Sequence, residues 1–454
     1  MSRVSNFLST LRALGLLLFA GTLGCDQFLT ITRVNEAFSN SNADTAIESA
    51  NVTLQIAHGS NDFGCPVILR RSGDVVPVSG NNTIDTDAQL RTIFRVPGYV
   101  KVVHKINRCG RMTSAGIIGC ASPHNMIVED LKDNDFPNRP LEGILWAHEF
   151  GHTQGLPHRV VPTSCVSCEG GVCIDFCAGF PPDPFSTVMA PFIGLNNRLV
   201  SQQECSALLV PINAPVSCIS CEGGVCIDFC SFGIGGSEPA PANARKAPIE
   251  EFVRRVYFDS MPFEEAMRYG PEEIPTLKRM LSDPLERASW PMVASVLGVI
   301  GDDASAHALI DFVVRERSGK MRGDMYRAVG SAIVALGYLV ERSGSPTALE
   351  FLSQASEPGF WERQPRMHWT SSAGPTRAAR NQRLADFAVM GLGLSGHREA
   401  MPALRRRWEK LSQRRATGSA QEQQAMQEVV EQAMDDHSVV TKHGLGRYYR
   451  NSHR

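Results

Sequence analysis

The sequence predicts an α+β domain followed by an all-α solenoid. Three observations predict it. All 13 cysteines lie at or before residue 230, and none follows. Residues 28–34 and 99–105 alternate as half-buried strands do, whereas charge and helical apolar periodicity take over beyond residue 248. Three stretches of the second half also look alike, which points to stacked repeats. For 454 residues with 43% hydrophobic content, two domains are the natural reading.

The chain begins with a positive segment containing Arg3 and Arg12, then an apolar run over 13–23. That run has the length of a signal-peptide core and is too short to span a bilayer. It ends Gly21-Thr22-Leu23-Gly24-Cys25. This resembles a bacterial lipoprotein signal, in which cleavage precedes Cys25 and that cysteine is lipidated. The family usually has Leu where this chain has Thr22. A plain secretory signal is the alternative. Residues 1–25 are therefore expected to be a targeting segment, and the mature chain to be exported: a bacterial membrane-anchored lipoprotein, or secreted or periplasmic. Membrane contact is expected only through the N-terminal lipid anchor. A net charge of −2 offers no bulk basic field, and no nucleic-acid partner is expected.

The stretch from Leu141 has good helix formers and apolar residues at helical intervals. Residues four apart share a helix face, so His148 and His152 can present imidazoles to one ion. Glu149 sits beside them, placed to reach a water rather than the ion. Gly155 can take the positive φ that ends a helix and turns the chain back. His158 then supplies a third nitrogen from outside the helix. Three protein ligands leave one tetrahedral position open, the arrangement of a catalytic rather than a structural zinc ion. One Zn2+ is expected; a structural Ca2+ is conceivable but not readable from the sequence.

The run His148-Glu149-Phe150-Gly151-His152-Thr153-Gln154-Gly155-Leu156-Pro157-His158 fits H-E-x-x-H-x-x-G-x-x-H and resembles the metzincin zinc endopeptidases. The resemblance implies a metzincin-like catalytic domain over 26–230, a mixed twisted sheet plus an active-site helix, that hydrolyses peptide bonds, with Glu149 as general base and a protein or peptide as substrate. It implies a methionine turn beneath the metal, for which Met189 in Ser186-Thr187-Val188-Met189-Ala190-Pro191 is the candidate. It implies that residues 196–209 form the helix closing the domain, that 115–120 form an edge strand, and that 124–129 form the next strand. An extended substrate would add to that edge. Some members carry a tyrosine after the methionine turn; this chain has none between Tyr99 and Tyr257. Arg159, after the third histidine, leaves the subfamily open.

Two nearly identical stretches, SCVSCEGGVCIDFC at 164–177 and SCISCEGGVCIDFC at 217–230, carry eight cysteines: Cys165, Cys168, Cys173, Cys177, Cys218, Cys221, Cys226 and Cys230. Cys65, Cys109, Cys120 and Cys205 complete an even set of twelve once Cys25 is set aside for lipid. In an exported chain all twelve are expected in disulfides, with two bridges inside each copy the simplest arrangement and the connectivity open. The first copy lies between the third histidine and Met189, a loop that in metzincins helps wall the substrate pocket. A zinc knuckle binding nucleic acid is the competing reading, disfavoured by export and near-neutral charge.

Residues 231–248, rich in Gly, Pro, Ala and Ser, read as a linker. Beyond it, 295–314, 334–354 and 389–408 each show an apolar helix ending in Leu-Gly, a polar turn, and a second apolar helix. The anchors Leu297, Leu336 and Leu392 suit a HEAT-like helical domain over 249–410 with an insertion at 355–380. Such a surface could hold a protein partner. Residues 411–454 read as a polar, solvated helical tail. Against the peptidase stands a second hypothesis: a non-catalytic exported binding protein that uses a degenerate protease domain and the solenoid as interaction surfaces. The intact Glu149 favours the first.

Overall fold

The structure is a computed structural model that describes residues 25–55, 64–110, 112–123, 125–131, 140–158, 166–169, 172–175, 187–190, 192–193, 199–210, 219–222, 225–228, 247–257, 261–371, 374–413 and 420–450. The expected first strand is two: β1 (Cys25–Leu29) and β2 (Ile31–Val34). The ladder breaks at Thr30, whose carbonyl accepts hydrogen bonds from the N–H groups of both Tyr99 and Val100. Helix α1 (Asn40–Gln55) leads to β3 (Val67–Arg71) and β4 (Val76–Val78), which pair in parallel with β1 and β2. Then follow β5 (Thr83–Ile84), α2 (Asp87–Arg95), β6 (Val100–Val103), β7 (Lys105–Ile106) and the hairpin β8 (Arg108–Cys109) to β9 (Met112–Thr113). Strands β10 (Gly119–Ser122) and β11 (Asn125–Glu129) precede the long helix α3 (Pro140–Thr153).

Five strands form one mixed sheet in the order β10-β11-β6-β2-β4, with only β10 antiparallel to its neighbour. Because strand side chains alternate faces, Val100 and Val102 join α1 and α3 in a core with Leu54, Ile144, Trp146 and Phe150. Val34, Val103 and Ile127 face the other way, onto Leu90 and Ile93 of α2. Each such fully buried aliphatic side chain contributes about 1.5–3 kcal/mol.

The expected edge strand over 115–120 begins only at Gly119. Residues 115–116 form a turn, and Ala115 is buried in the core of the helical half. Ile118 O accepts from Glu129 N, so Cys120 and Ser122 also face β11. The N–H and C=O groups of Gly119 and Ala121 therefore point outward from the sheet. The β3 edge differs. Asn51 accepts from Leu69 N at 2.8 Å and donates to Leu69 O at 2.9 Å, and Gln55 donates to Val67 O. Helix α1 thus occupies the backbone groups on which another strand would pair.

Lys101 lies on β6 with its amine donating to Asn125 Oδ1 at 2.9 Å, and it is almost fully buried. Burial pushes its pKa down to about 8. The folded value lies below the unfolded one, so the penalty is full below pH 8 and fades as pH rises toward 10.5. Lys101→Met should therefore raise stability at pH 7 by about 1–3 kcal/mol and flatten the rise between pH 8 and 10. Denaturant titrations across that range check both.

Of the cysteines outside the repeats, Cys65 bridges Cys205 and Cys109 bridges Cys120. The first fixes α4 (Gln202–Leu208) to the chain entering β3; Ser201 and Glu204 form a capping box at the helix start. The closing helix is thus shorter than the expected 196–209, because Leu199 pairs with Thr187 instead. In the repeats, β12 (Val166–Glu169) pairs with β13 (Val172–Asp175), and β15 (Ile219–Glu222) with β16 (Val225–Asp228). Both hairpins share one register, setting Cys168 opposite Cys173 and Cys221 opposite Cys226. Cys165, Cys177, Cys218 and Cys230 lie outside the described residues, as do the side chains of the other four, and so does the expected pairing. Cys25 opens β1, and its side chain also lies outside them. No helix among the described residues is long and apolar enough to cross a membrane.

Between the two hairpins in sequence lies β14 (Phe192–Ile193); the helical half opens with α5 (Ile249–Arg254) and β17 (Val256–Tyr257), which pairs with β14. Helices α6 (Phe263–Ala266) and α7 (Ile274–Ser282) follow. The three similar stretches are three helical hairpins: α8 (Trp290–Ile300) with α9 (Asp303–Val314), α10 (Gly323–Ser343) with α11 (Pro346–Ala355), and α13 (Arg377–Ser395) with α14 (Ala400–Gln413). Leu297, Leu336 and Leu392 are all fully buried. Between hairpins lie β18 (Arg317–Lys320), α12 (Pro358–Glu362) and β19 (Met367–Thr370), the last two within the expected insertion. The described part of the tail is not solvated all round. It forms α15 (Ala420–Arg450), kinked at Gly444, and buries Val429, Val430, Ala433, Val440, Leu445, Tyr448 and Tyr449.

Buried ion pairs and hydrogen bonds join the helical half to the first half. Arg108 reaches Asp87 and the Asp436 carboxylate of α15, Arg383 pairs with Asp85, and Arg327 pairs with Glu129. Tyr338 and Tyr449 donate to Thr113 O. These bonds hold the segment that leads into β10.

Candidate metal centre

Helix α3 is buried along its length and carries His148, Glu149 and His152. It ends as the sequence predicts. Gly155 has φ +80°, Leu156 N donates to Gly151 O, and Gly155 N donates to His152 O, the two bonds of a Schellman turn. The turn brings His158 back over the helix.

The three Nε2 atoms converge. His148 and His152 lie 2.8 Å apart, and each lies 3.1 Å from His158. A tetrahedral ion with ligands at 2.0–2.1 Å would hold its nitrogens ~3.3 Å apart, so the cluster needs only small adjustment to fit. The other ring nitrogens are committed: His148 Nδ1 to Val188 O and His152 Nδ1 to Leu156 O, both at 2.7 Å. With Nδ1–H donating to a carbonyl, Nε2 is left as a lone-pair donor. Burial, then the neighbouring His152 and His158, push the His148 pKa well below its usual value, against the bond to Val188. Neutral imidazoles are what a cation needs. These three side chains could hold a metal ion.

Met189 lies beneath the histidines. It is buried in the turn closed by Ala190 N to Thr187 O, and a Cβ on Gly151 would overlap its Sδ. The same turn presents the Val188 carbonyl to His148. Glu149 is fully buried, and its carboxylate lies against Gly119, where a Cβ would overlap Oε1. The helix therefore carries its acid directly beneath the first residue of the edge strand. Tyr257, the first tyrosine after Met189, directs its hydroxyl to Phe252 O within the helical half. Tyr99 bonds Thr153 and Gln154 at the helix end.

The structure thus gathers His148, His152, His158, Glu149, Gly155 and Met189 at one place. Sequence reasoning missed Gly119, Gly151 and the carbonyls of Val188 and Leu156. Only Gly151, inside the histidine pattern, carried a signal: a small residue three positions after His148, where something must pass beneath the helix. No protein-family model, no curated protein and no solved structure matches the chain.

Proposed function

We propose that the chain is a zinc-dependent endopeptidase of the metzincin type. The observation that carries this reading is the convergence of three Nε2 lone pairs beside a fully buried carboxylate, Glu149. Burying a carboxylate is costly, and a pure binding surface has no use for it. A zinc ion held by His148, His152 and His158 would supply Lewis acidity, activating water and polarising the scissile carbonyl. Glu149 takes the proton of the attacking water and returns it to the leaving amine. The outward N–H and C=O groups of Gly119 and Ala121 bind an extended peptide as an added strand, while Asn51 and Gln55 close the β3 edge to it. The buried Met189 beneath the cluster agrees with a methionine turn. On the same reading the stacked helical hairpins are HEAT-like, and the enzyme is exported and held by lipid at Cys25.

The test is metal analysis together with cleavage of a denatured general protein substrate, with and without chelator. Chelator-sensitive cleavage with one zinc per chain is expected; metal-loaded protein that cleaves nothing overturns the reading. Gly119 supplies a finer check. Gly119→Ala must displace the Glu149 carboxylate, so kcat should fall by about 10²-fold with zinc content unchanged. Steady-state kinetics beside metal analysis would show it.

A further inference from the structure

The kink in α15 opens a pocket. Gly444 has φ +72° and ψ +162°, a conformation essentially confined to glycine. The helix resumes at Leu445, whose N–H donates to the Glu341 carboxylate of α10 at 3.3 Å. Between the kink, the end of α10 and α6 lies a cavity of about 340 Å3. Phe263, Met267, Val299, Tyr338 and Leu445 give it an apolar floor, and half of Met267 is exposed there.

The charged groups of the walls are Arg342, Arg447, Arg450, Glu264 and Glu341, with His443 beside them. Three cations face two carboxylates, so with His443 neutral the walls carry one net positive charge. Both carboxylates are engaged, Glu264 by Arg450 and Glu341 by Leu445 N. Among the described residues, Arg342 and Arg447 make no ion pair or hydrogen bond. Each stands in the last turn of its helix, where the dipole stabilises a cation that has no carboxylate partner. Their guanidinium forks are therefore free to bind, and a carboxylate matches them in shape and charge. An apolar chain attached to it would cover the floor, at about 25 cal/mol per Å2 removed from water. A single net charge suits a monoanion, whereas a dianionic phosphate would leave uncompensated negative charge. The volume lies near the lower end of small-molecule sites, so the occupant is a short chain.

We propose that this pocket binds a small amphiphilic carboxylate, its carboxylate on Arg342 and Arg447 and its apolar chain on Phe263, Met267 and Val299. None of the walls belongs to the histidine cluster, so the proposal stands apart from the peptidase reading. Octanoate, octanamide and acetate are titrated calorimetrically into the full-length protein. Octanamide keeps the chain without the charge, and acetate keeps the charge without the chain. Octanoate should bind about tenfold tighter than either, the worth of one charge-assisted hydrogen bond. Arg342→Met and Arg447→Met should each weaken octanoate by about the same factor. Neither side chain has a partner to lose, so the thermal midpoint without ligand should stay where it is. Undetectable binding of octanoate overturns the proposal, as does equal binding of octanoate and octanamide. Wild-type affinity for octanoate in the Arg342→Met, Arg447→Met double variant overturns it too, because the acid then binds elsewhere.

Discussion

Glu149→Gln should bind one zinc ion per chain yet hydrolyse peptides about 10²–10⁴ times more slowly than the wild type. Glutamine preserves the volume of a fully buried side chain lying against Gly119, so packing is little disturbed. The three histidines keep their geometry, because their orientation does not depend on Glu149. His148 is held by Val188 O, His152 by Leu156 O, and His158 follows the turn at Gly155. What is lost is the proton acceptor. An amide cannot take the proton of the attacking water or hand it to the leaving amine. Plasma emission analysis of metal content, run beside a fluorogenic peptide assay, separates the two effects. Near-normal turnover in the variant would sink the assignment of Glu149, and loss of zinc with turnover would make it a structural residue instead.

The parts of this site that were legible in the sequence are those set by local geometry. His148, Glu149 and His152 share one helix, and Gly155 ends it with a positive φ because only a residue without Cβ does so freely. Met189 lies outside that local frame and was reachable only through the family resemblance. Gly119 was not reachable. In the sequence it looks no different from Gly116, and its role exists only because α3 crosses beneath β10. The strand start was misplaced for a related reason. Ala115-Gly116-Ile117-Ile118 has strand-like composition, but the helical half takes Ala115 into its own core and forces a turn. In the tail, the Gln-rich composition suggested solvation. Val429, Ala433 and Val440 nevertheless recur at helical spacing and mark the buried face. The pairing of Arg108 with Asp436 spans 328 residues, and no sequence pattern announces it.

Glu129→Ala should lower stability by about 3–5 kcal/mol, the range for removing one partner from a buried ion pair. Glu129 ends β11, is fully excluded from solvent, and accepts from Lys105 Nζ, Ile106 N and Arg327 Nη2. Its loss leaves two cations and a backbone N–H in a low-dielectric interior without their shared acceptor. Burial already pushes the Lys105 pKa down to about 8, with Arg327 adding to the shift and Glu129 opposing it. Removing Glu129 should push that amine further toward its neutral form. The thermal midpoint should then fall by roughly 10 °C. Adding Arg327→Met to Glu129→Ala should restore part of it, because the second change removes one stranded charge. A surface carboxylate would behave differently, with a loss under about 1 kcal/mol and no rescue. The same pair reports on how the two halves work together. Arg327 belongs to α10 and Glu129 to the sheet, and between them they clamp the segment entering β10. If that clamp positions the edge on which peptides bind, Glu129→Ala should raise KM for peptide hydrolysis at temperatures well below its unfolding transition. Unchanged KM beside a lowered midpoint would confine Glu129 to stability alone.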